Sequence, residues 1–448
     1  MAAAAALALH PVAASAQQTG QRGMTIIRDA EIEQLMRDYA RPVFNASGVG
    51  DSATKIVLVG SRDFNAFVNS GRRVFINVGV IMDSATPNQV IGVLAHETGH
   101  LAGGHLFRLR QQLETAQIMA IAGMLLGAGA VAATSRSSQV GWSGAGPLGT
   151  ITAPLEIARR SVLAYQRGEE QAADKAAVRY LNQTGQSARG LVETFQRFSD
   201  DSLFRRVGAD PYLQSHPSAP ERISALKEEA ERSPHFNKSD SPALKQRHEL
   251  ARAKLFGFIT RPEELVRRYP PTDTSLAARY ARAISAYRFN SQGNAHQQID
   301  ALIAQQPNNP YFHELKGQAL LEAGRAREAV GPLRRAVALA PGQPLLRGML
   351  GHALVSTGDV NDARAAIREL TTVTQREPDT PDYFQHLARA YGAVGDEGMA
   401  ALSAAQGFSA AGQQDDARRL ARRAKNALKQ GTPAWNKADE ILTQPNQS

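Results

Sequence analysis

The chain has 448 residues, of which 43% are hydrophobic and 21% charged, a globular balance with length for two or three domains. It has no cysteine, which excludes disulfides, zinc fingers, iron–sulfur sites and thiol catalysis, so any metal must be held by His, Asp or Glu. The net charge of +9 suits acidic partners, but no nucleic-acid-binding module is legible and no nucleic acid is expected as a partner.

Residues 1–16 form a short apolar run ending in Ala14-Ser15-Ala16 before Gln17, the small-x-small pattern of a secretory cleavage site. Met1 to Leu9 contains no Lys or Arg, so the segment reads as a shortened signal peptide and the protein as exported. Residues 17–235 mix helical and strand patterns and hold every chemically suggestive motif. Within them "GRRVFINVGVIM", residues 71–82, alternates apolar and polar in part. It is read as a strand able to pair with an extended substrate by strand addition, which predicts loose sequence preference.

The next segment, "TPNQVIGVLAHETGHLAGGHLFRL", predicts a helix from Pro87 through Leu106, with Thr86 as N-cap and Gln89 in the place of a capping box. At about 100° per residue, His96 and His100 lie about 40° apart and one turn apart along the axis, so both imidazoles can face one ion. Glu97 flanks that face, where its carboxylate reaches a water beside the metal. His105 is turned about 140° from His100 and about 180° from His96 while the helix continues, and is read as structural. Gly103 sits where a metzincin turn would need it, but the third histidine of that pattern would fall at Leu106.

Residues 116–134, "AQIMAIAGMLLGAGAVAAT", carry no charge and lie between Arg110 and Arg136. They are long enough to span a bilayer, but Gly123, Gly127 and Gly129 favour an apolar flap over the cleft that makes peripheral membrane contact. The spanning alternative would make the chain an integral membrane peptidase.

A catalytic zinc wants three protein ligands and an open position, and the third is sought in the helical segment 165–181. Glu170 and Asp174 are one turn apart there, so Glu170 can bind the ion while Asp174 orients a ligand imidazole. Glu169 competes, but has no acid four residues on. Ala172, Ala173, Ala176 and Ala177 make this helix narrow enough to pack closely.

Residues 236–272 read as a linker and connecting helix. Beyond residue 273 the chain repeats: Pro307 and Pro341, Pro310 and Pro344, and Gly324 and Gly358 are each 34 apart, and Pro378, Pro381 and Gly395 fall 37 further on. That period, with small residues at Ala319, Ala329, Ala336, Ala353 and Ala363, resembles the tetratricopeptide repeat, a stack of helix–turn–helix units presenting a surface to another protein. The expected fold is therefore mainly α: an α+β domain with a small edge-strand sheet, followed by a helical array over residues 273–448.

HExxH at His96, ExxxD at Glu170 and "SHPSAPERI" at residues 215–223 together resemble the gluzincin peptidases of the HtpX and Ste24-endopeptidase class. With an export signal and tetratricopeptide repeats, the combination is most similar to the BepA-like periplasmic zinc metalloproteases. The resemblance implies one Zn2+ per chain on His96, His100 and Glu170, Glu97 as general base and Asp174 as support for a ligand. It implies that His216 approaches the zinc, either blocking its open position or steadying the transition state, and that Arg222 forms an ion pair, its partner unassigned. The chain departs from the usual ExEAD motif in having Ala172 as its middle acid position, which leaves the ligands intact but alters the local charge.

By the same resemblance, the protein is a periplasmic zinc metalloendopeptidase that cleaves misfolded or stalled envelope proteins. It would also act in a chaperone-like way in outer-membrane protein quality control, with assembly machinery as a partner of the repeats. The alternatives are a chaperone or scaffold with a latched zinc site and an integral peptidase of the HtpX type.

Overall fold

The computed structural model describes residues 24–443 except 52, 70–71, 116–117, 119–146, 205–215, 217–219 and 290–291, and gives only the helix path for 147–161, 199–204 and 292–293. The expected signal segment and nearly all of the apolar run 116–134 lie outside the described residues. Among the described residues no helix is long and apolar enough to cross a membrane.

Two compact units form, one of Leu35–His248 and one of Met1–Gln34 with Glu249–Ser448. The chain opens with β1 (Ile26–Ile27) and α1 (Ala30–Ser47). In the unit Leu35–His248, β2 (Lys55–Val59) runs parallel to β4 (Arg73–Asn77), with Lys55 opposite Arg73 and Val59 opposite Asn77. On the other side of β4 lies β3 (Ala66–Asn69), antiparallel, with Ala66 opposite Ile76 and Asn69 opposite Arg73. This corrects the reading of residues 71–82. The strand there is paired on both sides, and Val78–Asp83 is a helix, α2. The physical reason is the run Val74, Phe75, Ile76, all buried, which belongs to an interior strand. Among the described residues β3 is an edge strand of the sheet.

Helix α3 (Pro87–Gly103) begins with Pro87 at its first turn; Thr86 makes no side-chain cap, and Gln89 Oε1 instead accepts from the Ala85 N–H at 2.7 Å. Every residue from Val90 to His100 is buried, so this helix is core on all sides. It is flanked by α5 (Pro147–Gln183) and α6 (Arg189–Phe204). A Cβ on Gly99 would stand 2.8 Å from the Ala173 carbonyl oxygen, so glycine inside HETGH is what lets α5 approach. Ala173 and Ala177 are fully buried in that contact, whereas Ala172 faces solvent. On the α6 side, Asn88 Oδ1 accepts from the Gly190 N–H and Asn88 Nδ2 donates to the Ser187 carbonyl, both at 2.6 Å, tying the starts of the two helices together.

The end of α3 differs from expectation. Gly104 adopts the left-handed conformation at φ 66°, closing the helix three residues before Leu106, and a new helix, α4, covers residues 105–115.

The helix Pro242–Ile259 is divided between the two units at His248, and in the other unit Pro262–Arg268 precedes a series of antiparallel pairs. Pro310–Glu322 pairs with Ala326–Leu339, Pro344–Ser356 with Val360–Arg376, and Pro381–Ala393 with Glu397–Ala410. Each pair turns at a glycine with positive φ, Gly324, Gly358 or Gly395. The three residues that lengthen one period lie in Val360–Arg376, which has 17 residues where Ala326–Leu339 has 14. The alanines expected between helices, Ala319, Ala329, Ala336, Ala353 and Ala363, are all buried. Lys254 is buried in the same unit among Asp29 at 2.8 Å, Glu314 at 3.2 Å and Glu31 at 3.5 Å.

Candidate metal centre

Four buried side chains converge: His96 and His100 from α3, Glu170 from α5, and His216, with one ligand atom from each within 4.8 Å of all the others. His96 Nε2 stands 3.1 Å from His100 Nε2 and 3.4 Å from Glu170 Oε2, and His100 Nε2 is 3.3 Å from Glu170 Oε1. His216 Nδ1 closes the figure at 3.3 Å from His96 Nε2 and 3.1 Å from Glu170 Oε1. A tetrahedral ion with bonds of about 2.0–2.1 Å holds its donors about 3.3 Å apart. The donor set is the nitrogen and oxygen chemistry zinc accepts in a chain without cysteine, and its spacing fits one ion.

The surroundings of His96 fit as well. Asp174 Oδ1 lies 3.0 Å from His96 Nδ1, within ion-pair distance though outside hydrogen-bond geometry, while Nε2 faces the other donors. Arg222, for which the sequence offered no partner, holds Asp174 with two bonds, Nε to Oδ2 at 2.6 Å and Nη2 to Oδ1 at 2.9 Å. Its Nη1 reaches Glu170 Oε2 at 2.9 Å. The helix Pro220–Glu231 supplies this arginine, whose guanidinium lies over the Phe195 ring of α6, and the same ring meets His96 edge to face.

His105 and Glu169, both set aside by the sequence reasoning, meet each other. His105 Nδ1 is 2.9 Å from His100 Nδ1, and His105 Nε2 is 2.7 Å from Glu169 Oε2. The wheel argument placed His105 on the far side because it assumed a continuous helix. The break at Gly104 swings it back, and the paired glycines of "LAGGH" are the signal that could have shown this.

Electrostatically the site sets two carboxylates, Glu170 and Asp174, against Arg222 and the histidines. Burial opposes ionisation of Glu170, yet hydrogen bonds from His100, His216 and His96 outweigh it and hold the carboxyl far below the usual range. Burial opposes charge on Asp174 too, and Arg222 and His96 reverse it. Burial disfavours a charged His96, but contacts with Asp174 and Glu170 prevail and raise it to about 9. His100 is lowered to about 3 by burial, which Glu170 only partly offsets. A cation between the ring nitrogens would take the place of the His96 proton beside Glu170.

Glu97 is fully buried, and neither of its oxygens has a hydrogen bond among the described residues. His216 stands beside it, with Nε2 3.3 Å from Glu97 Oε1. Burial pushes the Glu97 carboxyl up, and His216 and His96 offset that only in part. The same His216 Nε2 is 3.3 Å from the carbonyl oxygen of Ala66 on the edge strand β3.

A helix carrying HExxH, a second helix carrying an acid toward it, and a small sheet with an edge strand beside them define a gluzincin-type metallopeptidase domain. Residues 27–230 match the profile of Peptidase family M48, and residues 320–390 match a tetratricopeptide repeat profile. The chain thus joins a Peptidase family M48 domain to tetratricopeptide repeats.

Among its relatives is the beta-barrel assembly-enhancing protease of Yersinia pestis, 26% identical over 66% of this chain and 60% of that one. The protein of the same name from Escherichia coli K12 is 22% identical over 69% of this chain and 62% of that one. The metalloprotease YcaL of Escherichia coli K12 is 29% identical over 37% of this chain and 58% of that one. The chain therefore spans about 60% of the length of these relatives. Among solved structures, the tetratricopeptide domain of P58(IPK) matches at 13% identity over 64% of this chain and 97% of that one, with a TM-score of 0.18.

Proposed function

We propose that the protein is an exported, periplasmic zinc metalloendopeptidase that cleaves misfolded or stalled envelope proteins, with its repeats engaging clients or an outer-membrane assembly partner. The observation that carries this reading is the set of four donors at tetrahedral spacing, with an unbonded buried carboxylate, Glu97, beside it. The names of the beta-barrel assembly-enhancing relatives support the envelope setting.

Zinc, when bound, supplies a Lewis acid that polarises the scissile carbonyl and acidifies water. His96, His100 and Glu170 hold it, and Asp174 with Arg222 fixes the His96 ring. Glu97 takes the proton of the attacking water and passes it to the leaving amine. A carboxyl raised by burial suits both tasks because its proton affinity is brought nearer to neutrality. An extended substrate pairs with β3 through its main chain, so recognition depends little on sequence.

In the arrangement described, His216 closes both routes. Its Nδ1 takes the fourth donor position and its Nε2 faces the Ala66 carbonyl of the strand a substrate would use. Water and peptide each gain access when His216 leaves. This also supports the second reading, a chaperone or scaffold that is seldom proteolytic.

The deciding experiment is Glu97→Gln. Casein cleavage is expected to vanish while one zinc per chain remains bound, and unchanged cleavage would overturn the catalytic assignment. If the Glu97→Gln protein fully complements a deletion strain, the scaffold reading prevails. His216→Ala is expected to raise casein cleavage. Loss of cleavage there, with zinc still bound, would instead give His216 a role in steadying the oxyanion.

A further inference from the structure

The hydrogen-bond path behind His100 is a separate device from the one behind His96. His105 opens α4 directly after the left-handed Gly104, and its ring folds back over the end of α3. A Cβ on Gly103 would lie 2.1 Å from His105 Nε2, so the ring occupies the space that only glycine leaves. The His100 and His105 rings stand nearly perpendicular, at 89°, with centroids 4.9 Å apart. His105 is buried at 6% exposure, and Glu169 meets it from α5, one position before the proposed ligand Glu170.

The protons of this path have one consistent arrangement. If the His100 Nε2 lone pair faces the metal position, its proton sits on Nδ1 and is donated to His105 Nδ1. His105 then carries its own proton on Nε2 and donates it to the Glu169 carboxylate. Arg108, one turn along α4, donates to the same carboxylate oxygen at 2.9 Å. Negative charge on Glu169 thereby makes His105 a better acceptor, and His105 makes His100 a better donor to the metal.

We propose that His105 and Glu169 are positioning residues for the metal centre: a carboxylate–histidine pair that fixes the tautomer and plane of His100 and strengthens it as a ligand. The proposal rests on the reading of His100 as a zinc ligand. Adjacent acids on one helix then serve two purposes, Glu170 inside the centre and Glu169 behind it.

The test is zinc affinity of the full chain, measured by competition with a chromogenic chelator, alongside melting of the metal-free protein. His105→Leu fills similar space without an acceptor and is expected to weaken zinc binding 10- to 100-fold while the metal-free melting temperature stays close to that of the parent. His105→Asn keeps an acceptor near the Nδ1 position and is expected to recover most of the affinity. Glu169→Gln, which keeps the shape and removes the charge, is expected to fall between them. Equal affinity in the Leu, Asn and parent proteins would overturn the proposal, as would equal loss in Leu and Asn accompanied by lower metal-free melting. If His105→Leu does not fold, Glu169→Gln decides, and parental affinity there overturns the proposal. Glu170→Ala separates the two readings. Retained affinity in that variant would remove the metal centre itself, whereas its loss beside an unaffected His105→Leu would remove only the positioning role.

Discussion

The two histidines of HETGH rest on supports of different construction. Behind His96 stands Asp174, clamped by both prongs of Arg222, with both side chains about 5–6% exposed. Behind His100 stands a second histidine, then Glu169, then an arginine, Arg108, that is 48% exposed. The first support is a dry ion pair held between helices, and the second runs outward to the surface. Charge that has been taken out of water is costly to unpair, while charge at the surface is readily solvated. If both support a ligand as proposed, loss of the first is expected to destabilise the domain and loss of the second only to loosen a ligand.

The largest expected effect tests the dry side. Arg222→Ala leaves Asp174 and Glu170 buried without their shared cation, and removal of one partner from a buried pair costs about 3–5 kcal/mol. Calorimetry of the full chain should show the peptidase unit melting earlier with the repeat unit unmoved. A loss below about 1 kcal/mol would mean that the pair is not buried in solution. Next comes Asp174→Asn, which keeps the volume but weakens the grip on His96 Nδ1. Zinc affinity is expected to fall about 10- to 100-fold, or about 1.4–2.8 kcal/mol. Affinity equal to the parent would show that His96 needs no such support.

How much of this was legible in the sequence follows the same division. Spacing alone put His96, His100 and Glu97 together, because those residues share one unbroken stretch of helix whose geometry is fixed. Glu170 and Asp174 were legible from their one-turn spacing. The partner of Arg222 was not, since the contact joins segments 48 residues apart and only tertiary packing brings them together. His105 and Glu169 stand outside the four-donor set, as read, but the place of His105 behind His100 was not legible for a local reason: at Gly104 the backbone leaves the helix, and every angle counted past it fails. The edge strand was misplaced because Val74, Phe75 and Ile76 have the composition of an interior strand, which periodicity by twos does not reveal. The repeats were read most fully, their prolines and glycines marking the ends of elements whose partners are neighbours in sequence.

The smallest effect belongs to the outer end of the second support. Arg108 donates to Glu169 at 2.9 Å, yet half its side chain meets water, and Glu169 keeps His105 as a partner without it. Arg108→Ala should therefore cost at most about 1 kcal/mol of stability. Its effect on zinc should be less than that of Glu169→Gln, because solvent replaces the guanidinium while the carboxylate charge behind His105 survives. Raising the salt concentration should shrink even that difference, since an exposed pair is screened and a buried one is not. Should Arg108→Ala instead match Arg222→Ala in stability, the outer support would be as dry as the inner one, and the contrast between the two histidines would collapse.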